Sequence, residues 1–591
     1  MLIFLFSKTT LFAFLVLCNV LGHSLLLKRF IKIEEDNYFF NFISGTISLI
    51  FFSYLINFFY PLNQYITNTF FFVFTLIGIY YVGKRKKNLY SILIIIFIVS
   101  FMTFLSKSYN DYELYHLPYM EIIRKFKIIF GLSNLDFRYA HSSVFQNISA
   151  FQYNSLMVKD SYIFYIPLLT VVSLKYILEK LANTNLNSIK IIGATTIIFF
   201  LIHGNRYGAL GNDLPTHLIA IISLILYLDL SQKTNARNNE SFTFLSIILI
   251  VILSKFSMIL FCFLPLYLII KNKIILNYKI IILLLISIFF ISKNYINSSC
   301  LIYPVPKLCL NTYWSVDKYS YGSPETISLE SSVMVKAYME SKFLSNPEIR
   351  KNFLGELLKS NKTYSEYNNL KENEKEEYLK YNYYRYYSKF YNWFPEYIKG
   401  NDFFKLLKNI ILLNLLLYLI TFIFIKFYPE KIKKKKMISS FIKNNAFFIF
   451  FITLNFILWL FIFPQLRYGL SYVLIFFSLP LLIKIETYEI AIFQKKVINL
   501  LIFIAFIYAV YSNSNRIHKT LTYNLDTEIS NIVPLSSPKF QEIYIDNSIV
   551  LRQPINGTCS DIEQLCTVFT ERFLKSNRNI SKLAFDYLLI K

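Results

Sequence analysis

The sequence predicts an all-α polytopic membrane protein of about fourteen transmembrane helices, with a small extracytoplasmic α/β region at its C-terminal end. Three observations predict it. Of the 591 residues, 55% are apolar and only 16% charged, against about 45–50% and about 25% in soluble globular chains. The apolar excess comes in blocks of roughly 17–25 residues, the length a helix needs to cross a hydrocarbon core about 30 Å thick. The basic residues fall in short stretches between blocks: Lys28, Arg29 and Lys32; Lys84 to Lys87; Lys271 and Lys273; Lys431 and Lys433 to Lys436; Lys495 and Lys496. Short loops rich in Lys and Arg mark the cytoplasmic side, so the net charge of +25 is accounted for without nucleic acid.

The spans read as 2–27, 38–59, 69–83, 90–105, 161–178, 188–203, 214–230, 243–254, 256–270, 277–293, 404–426, 445–463, 470–484 and 496–511. With the N-terminus outside, every basic short loop falls on one face. The long segments 106–160, 294–403 and 512–591 then share the other. The chain divides into N-terminal helices (1–89), a transmembrane core with the first exterior loop 106–160 (90–293), a large exterior loop (294–403), C-terminal helices (404–511) and an exterior C-terminal region (512–591). The first block could be a signal peptide, but it lacks a basic start and a small-x-small cleavage site, so a retained helix is expected.

Cysteine usage agrees with that sidedness. Cys18 and Cys262 lie inside spans, whereas Cys300 with Cys309 and Cys559 with Cys566 form two close pairs on the exterior side. Disulfides persist in oxidising compartments, and neither the C-x-x-C spacing nor the nearby His of a zinc site is present. Two disulfides are expected.

Ionisable groups at span ends are functional candidates because charge at membrane depth is costly. Asp111, Glu113 and His116 open the first exterior loop just after span 90–105. Two carboxylates and an imidazole this close suit a general base with orienting partners or a set of metal ligands, with a solvated helix cap as the plain alternative. In the same loop, 131–143 reads as a re-entrant or interfacial helix pair, whose Arg138 could bind phosphate or snorkel to lipid. The turn His203-Gly204-Asn205-Arg206 leads to Asp213 and Pro215, which form either a helix cap or a second acid facing Asp111. Lys255 sits in 243–270, a stretch long for one span and short for two. Arg467, in the tight turn Pro464 to Gly469, suits bidentate phosphate binding, with a structural ion pair as its rival.

The loop 294–403 ends in a Tyr-rich stretch from Tyr378 to Tyr391, which could stack on sugars but reads more plainly as an amphipathic helix on the membrane. Short alternating apolar runs in 512–591, such as Glu542 to Ile545 and Ile549 to Leu551, give the α/β region. The sequence carries no nucleotide-binding P-loop, no G-x-G-x-x-G after a strand, no H-E-x-x-H and no internal repeat.

Several short motifs, in order, resemble a family of uncharacterised bacterial polytopic membrane proteins that looks like the GT-C class of membrane glycosyltransferases. They are Asp111 with Tyr115-His116-Leu117-Pro118, Gly131-Leu132-x-Asn134-Leu135-x-x-Arg138, Asp213-Leu214-Pro215, Lys255-x-Ser257, Asn294-Tyr295 with Tyr303-Pro304, and Pro464-x-x-Arg467-Tyr468. The resemblance covers roughly 90–485 together with Cys559 and Cys566. It implies a bacterial inner-membrane enzyme that takes sugar from a polyprenyl-phosphate-linked donor and passes it to a glycan or lipid acceptor. On that pattern Asp111 is the base, Asp213 the second acid, and Arg467 and Lys255 the phosphate-binding cations. Glu113, His116, Arg138 and Arg206 join them as substrate-binding candidates. A divalent metal, Mg or Mn, is possible in the class, but no paired D-x-D is present beyond Asp111-x-Glu113. Two other function classes remain beside it: a transporter or flippase, and a non-catalytic membrane assembly protein.

Overall fold

The computed structural model describes residues 2–31, 37–84, 89–106, 112–140, 143–184, 186–203, 211, 213–233, 238–274, 276–312, 314–316, 323–324, 347–348, 351, 355, 366–370, 372–387, 389–392, 394, 401–427, 433–434, 445–462, 465–486, 488–489, 492–523, 540–546 and 549–554. It is an all-α membrane protein. Apolar blocks become helices because a bilayer offers no partner for a bare N–H or C=O, and a helix satisfies its backbone within itself. Eight described helices are long and apolar enough to cross a membrane, and shorter apolar helices lie at 89–103, 187–202, 239–254, 256–270, 407–419 and 446–462.

The N-terminal block is α1 (Leu2–Ile31), α2 (Tyr38–Phe59) and α3 (Gln64–Lys84), with α4 (Leu89–Thr103) beside α1. Its seam is made of small residues. A Cβ on Gly22 would sit 1.9 Å from the Phe74 carbonyl oxygen, and one on Gly78 1.8 Å from that of Cys18, so the α1 and α3 backbones touch directly. Asn19, sunk in this seam, is paired: its Nδ2 donates to the Phe71 carbonyl at 3.0 Å and its Oδ1 accepts from Gln152 Nε2 at 2.9 Å.

The connection after α4 is folded tightly onto the helices. A π turn, Tyr112–His116, runs into α5 (Leu117–Lys125), with Pro118 in the first turn where its missing N–H costs nothing. Over 131–140 the segment does not form the helix pair expected from sequence for 131–143. It forms two single 3-10 turns, Leu132–Asn134 and Phe137–Tyr139, packed against the protein, and α6 (Val144–Phe151) starts after Ser143. Its apolar residues are too few for a second helix, and the local chemistry favours turns: Gly131 takes φ +65°, and Asp136 caps Arg138 N–H at 2.9 Å. Beneath it, Tyr162 donates to Glu121 at 2.7 Å, and Arg124 Nη1 donates to Glu121 at 2.8 Å and to Tyr162 at 2.9 Å, so the buried Glu121 is paired.

The second half comprises α7 (Tyr165–Asn183), α8 (Asn187–Ile202), α9 (Asp213–Gln232), α10 (Asn238–Ser254), a 3-10 stretch Phe256–Cys262 leading to α11 (Phe263–Ile270), and α12 (Ile281–Ser298). After α13 (Glu372–Tyr387) come α14 (Asn401–Phe427), α15 (Ala446–Ile462), α16 (Leu466–Glu486) and α17 (Ile492–Tyr523). Helix α16 is the hub here, packing on α8, α9, α14 and α15. From α17, Arg516 donates to the carbonyls of Phe101, Met102, Phe104 and Leu105 at 2.6–3.3 Å, closing the C-terminal end of α4. Leu284, Leu285 and Ile288 of α12 and Phe503 and Ile507 of α17 are exposed, as lipid-facing positions are.

Past α12, Cys300 and Cys309 are disulfide-bonded, and the loop they close turns back onto Phe137 and Ala140. Two antiparallel strand pairs are short additions: β1 (Lys433–Lys434) with β2 (Tyr488–Glu489), and β3 (Phe540–Asp546) with β4 (Ile549–Pro554). Cys559 and Cys566 lie outside the described residues.

The α1–α3 contact leaves no room for a side chain. Gly78→Leu is expected to force two backbones apart and destabilise the protein by about 1–3 kcal/mol. A lowered thermal midpoint in detergent, with unchanged membrane insertion, is the readout.

Candidate functional site

Helix α9 begins at Asp213, whose carboxylate is partly exposed at the helix end. Four residues on, one turn along the same face, lies His217, fully buried. Its Nε2 lies 3.0 Å from the Arg467 carbonyl, and its Nδ1 is 3.3 Å from the Ser471 amide N–H. The carbonyl can only accept and the amide can only donate, so Nε2 carries the proton and Nδ1 receives one. Thr216 donates to Ser254 at 2.9 Å. These bonds lock α9 to α16 on one side and to α10 on the other.

Into that junction comes Lys255. Helix α10 stops at Ser254, and Lys255 takes extended backbone (φ −156°, ψ 116°) before the 3-10 stretch begins. The stretch 243–270 is therefore broken at its lysine. The Lys255 ammonium donates both to the Asp213 carboxylate and to the Arg467 carbonyl, and it lies 4.5 Å from the Tyr468 ring centre. Its side chain is 12% exposed and that of Asp213 is 42% exposed, so the ion pair is closed on the lysine side and open on the carboxylate side.

Arg467 is held by the turn between α15 and α16. Trp459 Nε1 donates to the Gln465 carbonyl at 2.8 Å, and a Cβ on Gly469 would run into the Trp459 ring at 2.4 Å. The indole thus lies flat against the start of α16. The Arg467 guanidinium bonds Tyr468 Oη at 2.8 Å and has Asp213 and Tyr115 as electrostatic neighbours. Among the described residues no carboxylate comes within ion-pairing distance of it.

Tyr115 and His116 bring the connection after α4 to the same place. Arg138 lies 5.2 Å from the Tyr115 ring centre, with its guanidinium bound to Asp136 at 2.5–3.1 Å. Within the protein, the sequence alternatives of lipid or phosphate aside, Arg138 has a carboxylate of its own. Asp136 supplies it, because the turn it caps points its carboxylate at the residue two along. Asp136 was not among the sequence candidates, although the Asp-x-Arg spacing carried the signal.

The structure brings together Asp213, Lys255 and Arg467, with His116 and Arg138 beside them, and places Glu113 buried in the His116 turn. Asp111 and Arg206 lie outside the described residues. His217, Tyr115 and Tyr468 were missed as site residues, since in sequence each reads as an ordinary span or interface residue. Among the described residues no group of three or more His, Cys, Asp or Glu could hold a metal ion.

A family model described as Domain of unknown function (DUF8201) matches residues 1–340 and 353–474. The chain belongs to this family. Every residue of the cluster lies within the matched stretches. Comparison with curated proteins and with solved structures finds no match.

In this DUF8201 protein the protonation state of His116 is set by its neighbour. Gln146 sits in the first turn of α6, and its Oε1 accepts the Ser143 N–H at 2.9 Å as part of a capping box. That fixes the amide, so Nε2 faces His116 Nδ1 at 2.5 Å as a donor. His116 Nδ1 must accept, the proton stays on Nε2, and the ring is neutral. An imidazolium would set N–H against N–H. Burial first, and then Arg138, push the imidazole down to about 4 from 6.5, with Asp213 pulling the other way. His116 is thus a neutral hydrogen-bond donor at neutral pH, with no capacity to act as a cation.

The unfolded chain binds a proton at this histidine below about pH 6.5 while the folded one does not until about pH 4. Stability is therefore expected to fall as pH drops through that window and to level off below it. Gln146→Glu supplies an acceptor for an imidazolium and should flatten this dependence. Thermal midpoints of both proteins from pH 7 to pH 4 test it, and equal slopes would remove His116 as the cause.

Proposed function

We propose that this protein is a membrane glycosyltransferase of GT-C kind. It takes a sugar from a polyprenyl-phosphate-linked donor on the extracytoplasmic face and passes it to a glycan or lipid acceptor in cell-surface glycan assembly. The observation that carries the proposal is the gathering of Lys255, Arg467, Asp213 and His116 from four separated parts of the chain around the start of α9, with no carboxylate among the described residues at ion-pairing distance from Arg467. A cation that the protein does not neutralise itself, next to an open carboxylate, suits an anionic ligand arriving from outside. The fourteen apolar helices are taken as crossings. The cluster end, the disulfide loop and the β3–β4 hairpin, as part of an α/β region, are assigned to the extracytoplasmic side.

In the proposed reaction the acceptor hydroxyl oxygen bonds the anomeric carbon as that carbon's bond to the phosphate oxygen breaks. Asp111, one residue before the buried Tyr112 turn, takes the hydroxyl proton. The phosphate leaves with the bonding electron pair. Arg467, held by Tyr468, and Lys255, held by Asp213, meet the charge that develops on it. Asp213 is occupied by Lys255 and holds that ammonium in place; a carboxylate so paired is a weak base. His116 Nε2–H donates a neutral hydrogen bond to the sugar or phosphate. No step needs a metal.

Lipid mass spectrometry on cells carrying wild-type protein, Asp111→Asn, Arg467→Gln or a deletion tests this. Loss of the base is expected to slow turnover by about 10²–10⁴, and loss of the guanidinium by about 10²–10³. Lipid-linked sugar should accumulate in all three while protein level is unchanged in the two variants. Lipids and surface glycans unaltered by the deletion would refute the transferase and favour the transporter class.

A further inference from the structure

A second cation has no carboxylate beside it among the described residues, and it is more deeply placed than Arg467. Lys293 lies in α12 five residues before Ser298, with 1% of its surface exposed. Its ammonium donates to Asn147 Oδ1 at 2.7 Å and sits between the faces of Tyr54 and Tyr119, 5.2 and 5.1 Å from their ring centres. Among the described residues no acid pairs with it. A buried, unpaired ammonium is costly in any protein and more so in a membrane.

Among the described residues the surroundings supply further donors and no counter-charge. Lys293 can only donate, so the Asn147 oxygen must face it, and the same amide plane leaves Nδ2 beside that contact as a surplus donor. Asn147 Nδ2 and Tyr54 Oη are both fully buried without a hydrogen-bond partner. An ammonium with one of its three N–H groups given to Asn147, an unspent amide N–H and an unspent phenol O–H offer donors that suit a tetrahedral oxyanion. A point-charge lysine flanked by non-planar donors suits phosphate better than a planar carboxylate, which arginine's fork would match.

This place is continuous with the outer cluster. Tyr115 and Tyr119 are four residues apart and so lie one turn apart on the same side of the π turn and α5. Arg138 covers the first ring, while Tyr139 packs against the second at 5.8 Å. Gln146 reaches His116, and its neighbour Asn147 reaches Lys293. The cage is thus one helical turn behind the cluster.

We propose that Lys293, Asn147 and Tyr54 form an oxyanion subsite for a phosphate group, separate from the Arg467–Lys255 cations. The phosphate comes either as a lipid headgroup or as the free ion. The lipid source rests on the function proposed above; the subsite itself does not. Equilibrium binding of inorganic phosphate and of farnesyl phosphate to the full chain in detergent is the test, with no turnover involved, so a failure of the transferase proposal leaves the result readable. Wild type should bind at least one probe. Lys293→Met should weaken that binding at least about tenfold and Lys293→Arg much less, since about 1.4 kcal/mol of lost interaction is tenfold. Tyr54→Phe removes only an unspent hydroxyl, so it should fold normally and still weaken binding several-fold. It decides the matter if Lys293→Met does not fold. Loss of inorganic phosphate binding identifies the free ion as sufficient; loss confined to farnesyl phosphate identifies the lipid headgroup. Wild-type affinity in every folded variant, or no binding of either probe by wild type, would overturn the subsite and leave Lys293 a lysine solvated by trapped water.

Discussion

One ammonium group joins three helices at the heart of this protein. Lys255 leaves the end of α10, bonds the Asp213 carboxylate that opens α9, and bonds the Arg467 carbonyl in the first turn of α16. Its position depends on the chain abandoning helix at Ser254, because a continuous helix would carry the side chain along the α10 surface rather than out from its end. His217 and Thr216 then hold the same three helices one turn further in. Without a lysine at that break, Asp213 and the Arg467 carbonyl would face each other with no positive charge between them. The geometry of the whole cluster therefore descends from a single interruption in an apolar segment.

A second layer of control comes from neutral groups. The capping box at the start of α6 does more than close a helix end: by occupying Gln146 Oε1 it dictates which nitrogen of His116 carries the proton. Likewise the indole of Trp459, laid against Gly469, fixes where Arg467 starts its helix. In a low-dielectric setting such dipoles act strongly and cost little to hold in place, whereas each extra charge would need a partner. Buried charges such as Arg138 with Asp136 and Lys255 with Asp213 come paired, whereas Lys293 is buried with no acid against it among the described residues. That lysine, and the exposed Arg467, are where ligand chemistry is to be sought.

The membrane shapes the rest. Helices satisfy their own backbones, so association between them falls to close packing and a few polar contacts, as at Gly22, Gly78 and Asn19. The non-helical segments are tolerated because protein covers them: Tyr112, Leu132, Asp136 and Tyr139 are all buried. Arg516 of α17 reaches back across more than four hundred residues to close the end of α4. A late helix thereby anchors the end of an early one.

The sequence by itself determined the apolar helices, since block length and the clustering of Lys and Arg follow directly from the thickness and sidedness of a bilayer. It also singled out Asp213, Lys255, Arg467 and His116, because ionisable residues at span ends stand out against an apolar background. Only the tertiary structure decided which of them meet. Partnerships such as Lys255 with the Arg467 carbonyl, or Gln146 with His116, join residues far apart in the chain and leave no local pattern. Lys293 and Asp136 stayed hidden for the same reason. One sat at the end of a span like any snorkelling lysine, and the other lay in a segment whose apolar residues suggested a helix. What gives them meaning is burial and the absence or presence of a counter-charge, and those are properties of packing.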